Sequence, residues 1–292
     1  MLGSSIDLIV EIPENAKTMY VNGTTSNIKL EIESYINDFE KCYDILASNQ
    51  SKPEYKAMYL GDSITALSGN RAWYTYFNQI INVTEYQNVA VIGATLVDKN
   101  GTIYDGNPVF QGPDNNVNNV LGNQVQKIIN NQEIYITPNF ILIAIGTNGG
   151  INTDKDTAYS AYYNDDGSIK DIDTVDRKTA AGAFRYCSEK LHELYPNAMI
   201  VWCTPIHAVN TTRNAKSIMT DADNLKMLCD LGSYYCIDTI KCGINGLHEI
   251  SGQNGEDLID GLHPNAHGAK KMGTYNACKF KEFLNRIDAY KE

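Results

Sequence analysis

The chain has 292 residues, of which 43% are hydrophobic, 10% aromatic and 20% charged, with a formal net charge of −11. Length and composition fit one large α/β domain, or one domain with a small appendage, and supply enough apolar material for a full core. The acidic balance argues against nucleic acid as a partner, because no basic footprint meets phosphates, and it disfavours anionic membrane surfaces and polyanionic substrates.

The first fifty residues differ from the rest. The N-terminus lacks a basic region, and the apolar stretch behind it carries Asp7 and Glu11, so it does not read as a signal peptide. No apolar run reaches about 18 residues, so no membrane insertion is expected. The chain is then either cytoplasmic or, as a segment of a longer exported protein, extracellular. Stretches 6–12 and 18–21 predict short strands around the turn Pro13-Glu14-Asn15, and 27–33 alternates as a half-buried strand does. From Tyr35 the period becomes helical, with Ile36, Phe39, Cys42, Tyr43 and Leu46 at three- and four-residue steps. Two or three strands cannot bury a face alone. Residues 1–50 are therefore expected to form a small β-appendage with a connecting helix, or the remnant of an upstream β-domain, and residues 51–292 the main domain.

From Tyr55 onward, short apolar runs at 57–60, 88–92, 140–145, 198–203 and 234–237 predict buried strands. Amphipathic stretches at 71–81, 117–130, 177–195 and 221–231 separate them as helices, and a last helix is expected over 265–287. Buried strands alternating with crossover helices predict a parallel sheet covered on both faces, a three-layer α/β/α sandwich. Ligands of such sheets bind beyond the carboxyl ends of the strands. Two polar stretches interrupt the alternation, 98–119 with Tyr104 and Phe110, and 149–176 with Tyr159, Tyr162 and Tyr163. Both follow strand ends, so both are expected to overhang the ligand edge. The run Asn164-Asp165-Asp166-Gly167 predicts a hairpin turn and does not meet the ligand spacing of a calcium loop.

Chemistry concentrates at strand ends. The run Met58-Tyr59-Leu60-Gly61-Asp62-Ser63-Ile64-Thr65 passes from an apolar strand into an amphipathic segment. A serine at such a turn sits where the N–H groups of a helix start can hold an oxyanion; taken alone, it also reads as a helix cap. Gly93 ends the second apolar run and lets the backbone approach a ligand, and Asn148 follows the third in Gly146-Thr147-Asn148. The segment Asp260-Gly261-Leu262-His263-Pro264 supplies a carboxylate and an imidazole three residues apart, just ahead of the last helix. A serine nucleophile needs such a base, an orienter for it, and oxyanion donors. Among the other histidines, His207 follows the fourth strand and could line the pocket. His267 reads as packing support, His192 as surface, and His248 has no assigned role. The seven cysteines include no Cys-x-x-Cys pair, which excludes a zinc ribbon. They read as unpaired thiols, although Cys229, Cys236 and Cys242 lie close enough for one disulfide.

Taken in order, Gly-Asp-Ser, Gly, Gly-Thr-Asn and Asp-x-x-His resemble the blocks of the GDSL-type SGNH hydrolase family over about residues 55–284. The second block, Asn88-Val89-Ala90-Val91-Ile92-Gly93, is similar to that of rhamnogalacturonan acetylesterase-type members. The first block reads Gly-Asp-Ser-Ile in place of Gly-Asp-Ser-Leu, and residues 1–50 fall outside the match. The resemblance implies a flavodoxin-like sheet of five parallel strands in the order 2-1-3-4-5. It implies two-step acyl transfer with Ser63 as nucleophile, His263 as general base and Asp260 as its orienter. Ser63 N–H, Gly93 N–H and the Asn148 side chain would form the oxyanion hole, and no metal or organic cofactor is implied.

The two polar, amide-rich stretches favour a carbohydrate ester over a lipid, so the expected activity is that of a carbohydrate O-acetylesterase. Tyr162 and Tyr163 are expected to stack on sugar faces, and His207 to contact substrate. The expected partner is a glycan or small-molecule ester. Two other readings stand beside this one: a lipid esterase or acyl-thioesterase, and a non-catalytic glycan-binding module on a degenerate hydrolase fold.

Overall fold

The computed structural model describes residues 5–10, 19–24, 53–98, 102–104, 107–109, 119–208, 214–246 and 255–289. Near the N-terminus, β1 (Ser5–Val10) and β2 (Met19–Thr24) pair antiparallel, with Ser5 opposite Thr24 and Val10 opposite Met19. The strand expected at 27–33 and the helix expected from Tyr35 lie outside the described residues.

The main sheet grows from two strands that are apolar on both faces. In β3 (Tyr55–Gly61) and β7 (Phe140–Ala144) every residue from Ala57 and from Phe140 onward is buried. Side chains of a strand alternate between faces, so a strand buried on both must carry apolar residues throughout. Ala57 and Tyr59 face one core with Phe140 and Leu142, while Met58 and Leu60 face the other with Ile141 and Ile143. These strands join β4 (Val83–Asn88), β8 (Met199–Cys203) and β9 (Tyr235–Ile237) in one parallel sheet, ordered β4-β3-β7-β8-β9. Counted within this sheet the order is 2-1-3-4-5, the order that the family resemblance implies.

Helices cover both faces. The first core is closed by α2 (Trp73–Ile81) and α7 (Ala266–Ala289), through Trp73, Phe77, Met272 and Phe280. Gly273 lets these helices approach closely, since a Cβ there would lie 2.2 Å from the Trp73 carbonyl oxygen. The second core is closed by α3 (Leu121–Asn130), α5 (Ala180–Leu194) and α6 (Ala215–Gly232), through Val125, Phe184 and Leu228. Between these lie α1 (Ser63–Ala66), the short antiparallel pair β5 (Thr102–Tyr104) and β6 (Asn107–Val109), and α4 (Lys155–Ser160). Among the described residues no helix is long and apolar enough to cross a membrane. Cys187, Cys203, Cys229, Cys236, Cys242 and Cys278 are all free thiols, so the close trio of cysteines forms no disulfide.

Two expectations are corrected. The second strand was expected over 88–92 and lies five residues earlier, at Val83–Asn88. It is an edge strand whose Thr84, Glu85 and Tyr86 face solvent, so it carries no apolar run. The apolar run after it still follows the sheet: Val89 N–H donates to the Tyr59 carbonyl at 2.8 Å and Val91 N–H to the Gly61 carbonyl at 3.1 Å. The helix expected from 221 begins at Ala215, because a reciprocal cap between Asn214 and Ser217 starts it.

One glycine governs the end of β3 at the carboxyl edge of the sheet. Gly61 sits at φ +151°, and a Cβ there would lie 2.1 Å from the Ala144 carbonyl oxygen of β7. Gly61→Ala is expected to lower stability by ~2 kcal/mol or more, through that clash. Chemical denaturation would show it, and an unchanged midpoint would mean that the strand end is free to shift.

Candidate active site

The turn that carries Ser63 is assembled from β3 outward. Asp62 has extended backbone and caps α1: its Oδ1 accepts Ile64 N–H at 3.0 Å. This leaves Ser63 as the first helical residue, with a side chain that is not needed for capping. Behind the turn, the buried amide of Gln124 on α3 clasps the Gly61 backbone. It accepts Gly61 N–H at 3.0 Å and donates to the Gly61 carbonyl at 2.7 Å. From the sheet edge, Asn88 donates to the Thr65 carbonyl at 2.7 Å. The turn is therefore held on three sides.

His263 reaches Ser63 from a loop 200 residues away. Asp260 Oδ1 accepts the N–H groups of Leu262 (3.0 Å) and His263 (2.7 Å), and Ile259 N–H donates to the His263 carbonyl at 2.9 Å. Gly261 takes the tip at φ +73°. The second carboxylate oxygen, Oδ2, lies 2.7 Å from His263 Nδ1, and His263 Nε2 lies 2.8 Å from Ser63 Oγ. A carboxylate only accepts, so Nδ1 carries a proton, and in that tautomer Nε2 accepts the Ser63 hydroxyl. Burial acts to raise the Asp260 carboxyl, but the backbone and imidazole N–H of His263 outweigh it and hold the group below the usual carboxylate range. Asp260 thus stays an acceptor while it builds the loop and fixes the imidazole.

A second carboxylate anchors the base of this loop. Buried Asp257 binds His267 Nδ1 through Oδ1 at 2.7 Å and Lys271 Nζ through Oδ2 at 3.0 Å, both from α7. Gly268 allows the contact, because a Cβ there would lie 2.2 Å from the Asp257 carbonyl oxygen. Arg71 Nε, just ahead of α2, donates to the Pro264 carbonyl at 3.1 Å and ties the loop to the nucleophile side.

Asp62 joins the turn to the third block. Its Oδ2 accepts Thr147 N–H at 3.3 Å, one residue before Asn148. Burial pushes the Asp62 carboxyl up to about 6, against the hydrogen bonds it accepts from Ile64 and Thr147. Asn148 Nδ2 donates one hydrogen to the Ala94 carbonyl at 3.2 Å, and Thr95 bridges to Asn148. An amide nitrogen has two hydrogens, so the second remains for a ligand. Gly93 lies one residue before Ala94 at φ +76°, where a Cβ would press on the Asn119 amide at 3.3 Å. Ser63, Gly93 and Asn148 are thereby brought to one edge through Asp62, Ala94 and the Val91–Gly61 bond.

The remaining expected site residues lie elsewhere. Tyr162 is corrected: its hydroxyl is buried, its ring lies under the Arg185 guanidinium at 5.1 Å, and Gly232 and Tyr234 are its neighbours. Those neighbours end α6 and lead into β9, at the amino edge of the sheet, opposite Ser63. Tyr163 stacks on exposed Tyr159 at 4.7 Å and pairs with Ile169, on the hairpin closed at Gly167. The overhang expected for 149–176 is corrected for its later part, 161–170. Arg185 donates to the carbonyls of Ala161 (2.7 Å) and Lys170 (2.8 Å), which lays this stretch along α5. Its root does meet the other insertion, where Asp98 and Arg177 form a fully buried ion pair at 3.2 Å. His207 is half-buried; its carbonyl accepts Gly246 N–H at 2.6 Å, and its Nε2 has no partner among the described residues. His267 serves Asp257, His192 is exposed, and His248 lies outside the described residues.

No protein-family model matches the chain, and no curated protein matches it. Solved structures with a similar fold include a possible lipase from Chitinophaga pinensis, 18% identical over 78% of this chain and 98% of that one, with a TM-score of 0.49. A member of the lipolytic G-D-S-L family from Veillonella parvula is 14% identical over 76% and 96%, with a TM-score of 0.42. A mutant of an acetyl-xylooligosaccharide esterase from Geobacillus Stearmophilus is 15% identical over 78% and 93%, with a TM-score of 0.41. Similarity at this level concerns chain architecture, and the chemistry must be read from the site itself.

Proposed function

We propose that the chain is a serine ester hydrolase that removes acetyl groups from carbohydrates through an acyl-enzyme. The observation that carries this reading is the continuous relay from Ser63 Oγ through the His263 imidazole to Asp260, at 2.8 and 2.7 Å. Ser63 Oγ attacks the ester carbonyl as its proton passes to His263 Nε2, and the imidazolium formed is stabilised by Asp260. The carbonyl oxygen takes on negative charge and is met by Ser63 N–H, Gly93 N–H and the second hydrogen of Asn148 Nδ2. Collapse breaks the ester bond; the alcohol leaves with the proton from Nε2. Water, deprotonated by the same nitrogen, then releases the acid and restores Ser63.

The surroundings of Asn148 favour a small acyl group on a hydroxyl-rich alcohol. Gly149 and Gly150, directly past Asn148, carry no side chain, Ile151 is buried and exposed Asn152 brings an amide, so this stretch offers hydrogen bonds to a polar alcohol and no exposed aliphatic side chain to a long acyl chain. Each buried methylene is worth about 0.8 kcal/mol, roughly fourfold in rate when it is used. Aryl acetate is therefore expected to be turned over faster than butyrate, and octanoate slowest. Comparing kcat/KM for these three esters tests it; a rise with chain length would replace the carbohydrate reading with a lipid esterase.

A further inference from the structure

Directly past Asn148 the chain turns through Gly149 and Gly150, both left-handed at φ +70° and +73°. A side chain at Gly149 would reach Thr95 Cγ2 at 3.0 Å. Glycine at 149 thus keeps the chain clear of Thr95 directly past Asn148. Gly149 and Gly150 also begin the wall of a cavity of about 390 Å³, closed on its far side by the first turns of α6. That volume lies within the roughly 300–1,000 Å³ of small-molecule sites.

Most lining side chains are polar, and the wall is firmly built. Asp221, itself buried, accepts Ile151 N–H at 2.6 Å, and Asn224 Nδ2 donates to the Ile151 carbonyl at 2.7 Å. These two bonds fix the 149–152 wall against α6, so the cavity is formed before a ligand arrives. They engage Asn224 through its nitrogen, which leaves its carbonyl oxygen for a ligand hydroxyl. Thr220 donates to the Lys216 carbonyl at 2.9 Å and keeps lone pairs, while Lys216 and Asn152 bring exposed donors to the rim. Ile151 is the only aliphatic side chain in the lining. Donors and acceptors set beside a comparable share of apolar surface suit a ring with hydroxyl edges and apolar C–H faces.

We infer that this cavity is the subsite for the alcohol half of the ester, a glycosyl unit whose hydroxyls bind Asn152, Lys216, Thr220 and Asn224. The inference rests on the ester-hydrolase reading and adds where the leaving group sits. What links the two places is the wall residue Gly149, whose Cα lies about 3.8 Å along the backbone from that of Asn148.

The test compares 4-nitrophenyl acetate with mono-O-acetylated xylo-, gluco- and galacto-oligosaccharides. The wild type and two cavity variants, Thr220→Trp to fill the space and Lys216→Ala to remove a donor, are assayed side by side. The wild type is expected to favour at least one acetylated glycan over the aryl ester in kcat/KM. In Thr220→Trp the ratio of glycan to aryl kcat/KM should fall by about tenfold or more, mainly through KM, with a smaller fall in Lys216→Ala. An unchanged ratio in both variants, with thermal unfolding like that of wild type, overturns the subsite. So does a wild type that cleaves the aryl ester but favours none of the glycans. A wild type inactive on every ester strikes the ester-hydrolase reading itself, and the subsite falls with it.

Discussion

Ser63→Ala is expected to cut ester hydrolysis by at least about a thousandfold and to leave the fold in place. The large kinetic effect follows from the relay. Without Oγ, the His263 imidazole has no nucleophile to deprotonate, and only the oxyanion donors remain to act on a bound ester. The small structural effect follows from the division of labour at the turn. Asp62, not Ser63, caps α1, and Gln124 and Asn88 hold the adjacent backbone. The Ser63 side chain contributes one hydrogen bond, to His263, worth about 0.5–1.5 kcal/mol. Turnover of 4-nitrophenyl acetate and the thermal midpoint separate the two effects. Labelling by a fluorophosphonate adds a covalent readout that the alanine variant must lose. Wild-type turnover in a folded Ser63→Ala protein would sink the assignment.

The two turns that bring Ser63 and His263 together were legible in the sequence because each is local. Gly-Asp-Ser after an apolar run, and Asp-x-x-His before a helix, each announce a turn whose geometry follows from a few neighbouring residues. What joined those turns was harder to see. Gln124 lies on the apolar stripe of α3 with Leu121 and Ile128, and a polar residue on a buried stripe signals a specific partner. The sequence does not say that its partner is Gly61, 63 residues away. Asp257 carried no local signal, since its two partners, His267 and Lys271, lie on the following helix. The edge strand at Val83–Asn88 escaped because an exposed strand has no reason to be apolar. Tyr162 misled for the converse reason: a tyrosine in a polar stretch resembles a sugar platform, yet Arg185 and Gly232 offered it a place to bury.

The Asn148 side chain separates transition-state stabilisation from substrate binding. Asn148→Ala is expected to lower kcat by about a hundred- to a thousandfold with little change in KM. The amide is asked to act where negative charge develops, on the oxygen of the tetrahedral species, and contributes less to the neutral ester that precedes it. The loop should survive the change. Thr147 N–H still bonds Asp62, and the Thr95 bridge still runs through the backbone. The bond from Asn148 Nδ2 to the Ala94 carbonyl is lost, at a cost of about 1 kcal/mol in stability. That cost is too small to account for the kinetic effect, so a denaturation curve beside the steady-state kinetics distinguishes a loosened loop from a missing donor. An effect confined to KM would make Asn148 a substrate-binding residue, and Ser63 and Gly93 N–H would be left as the oxyanion donors.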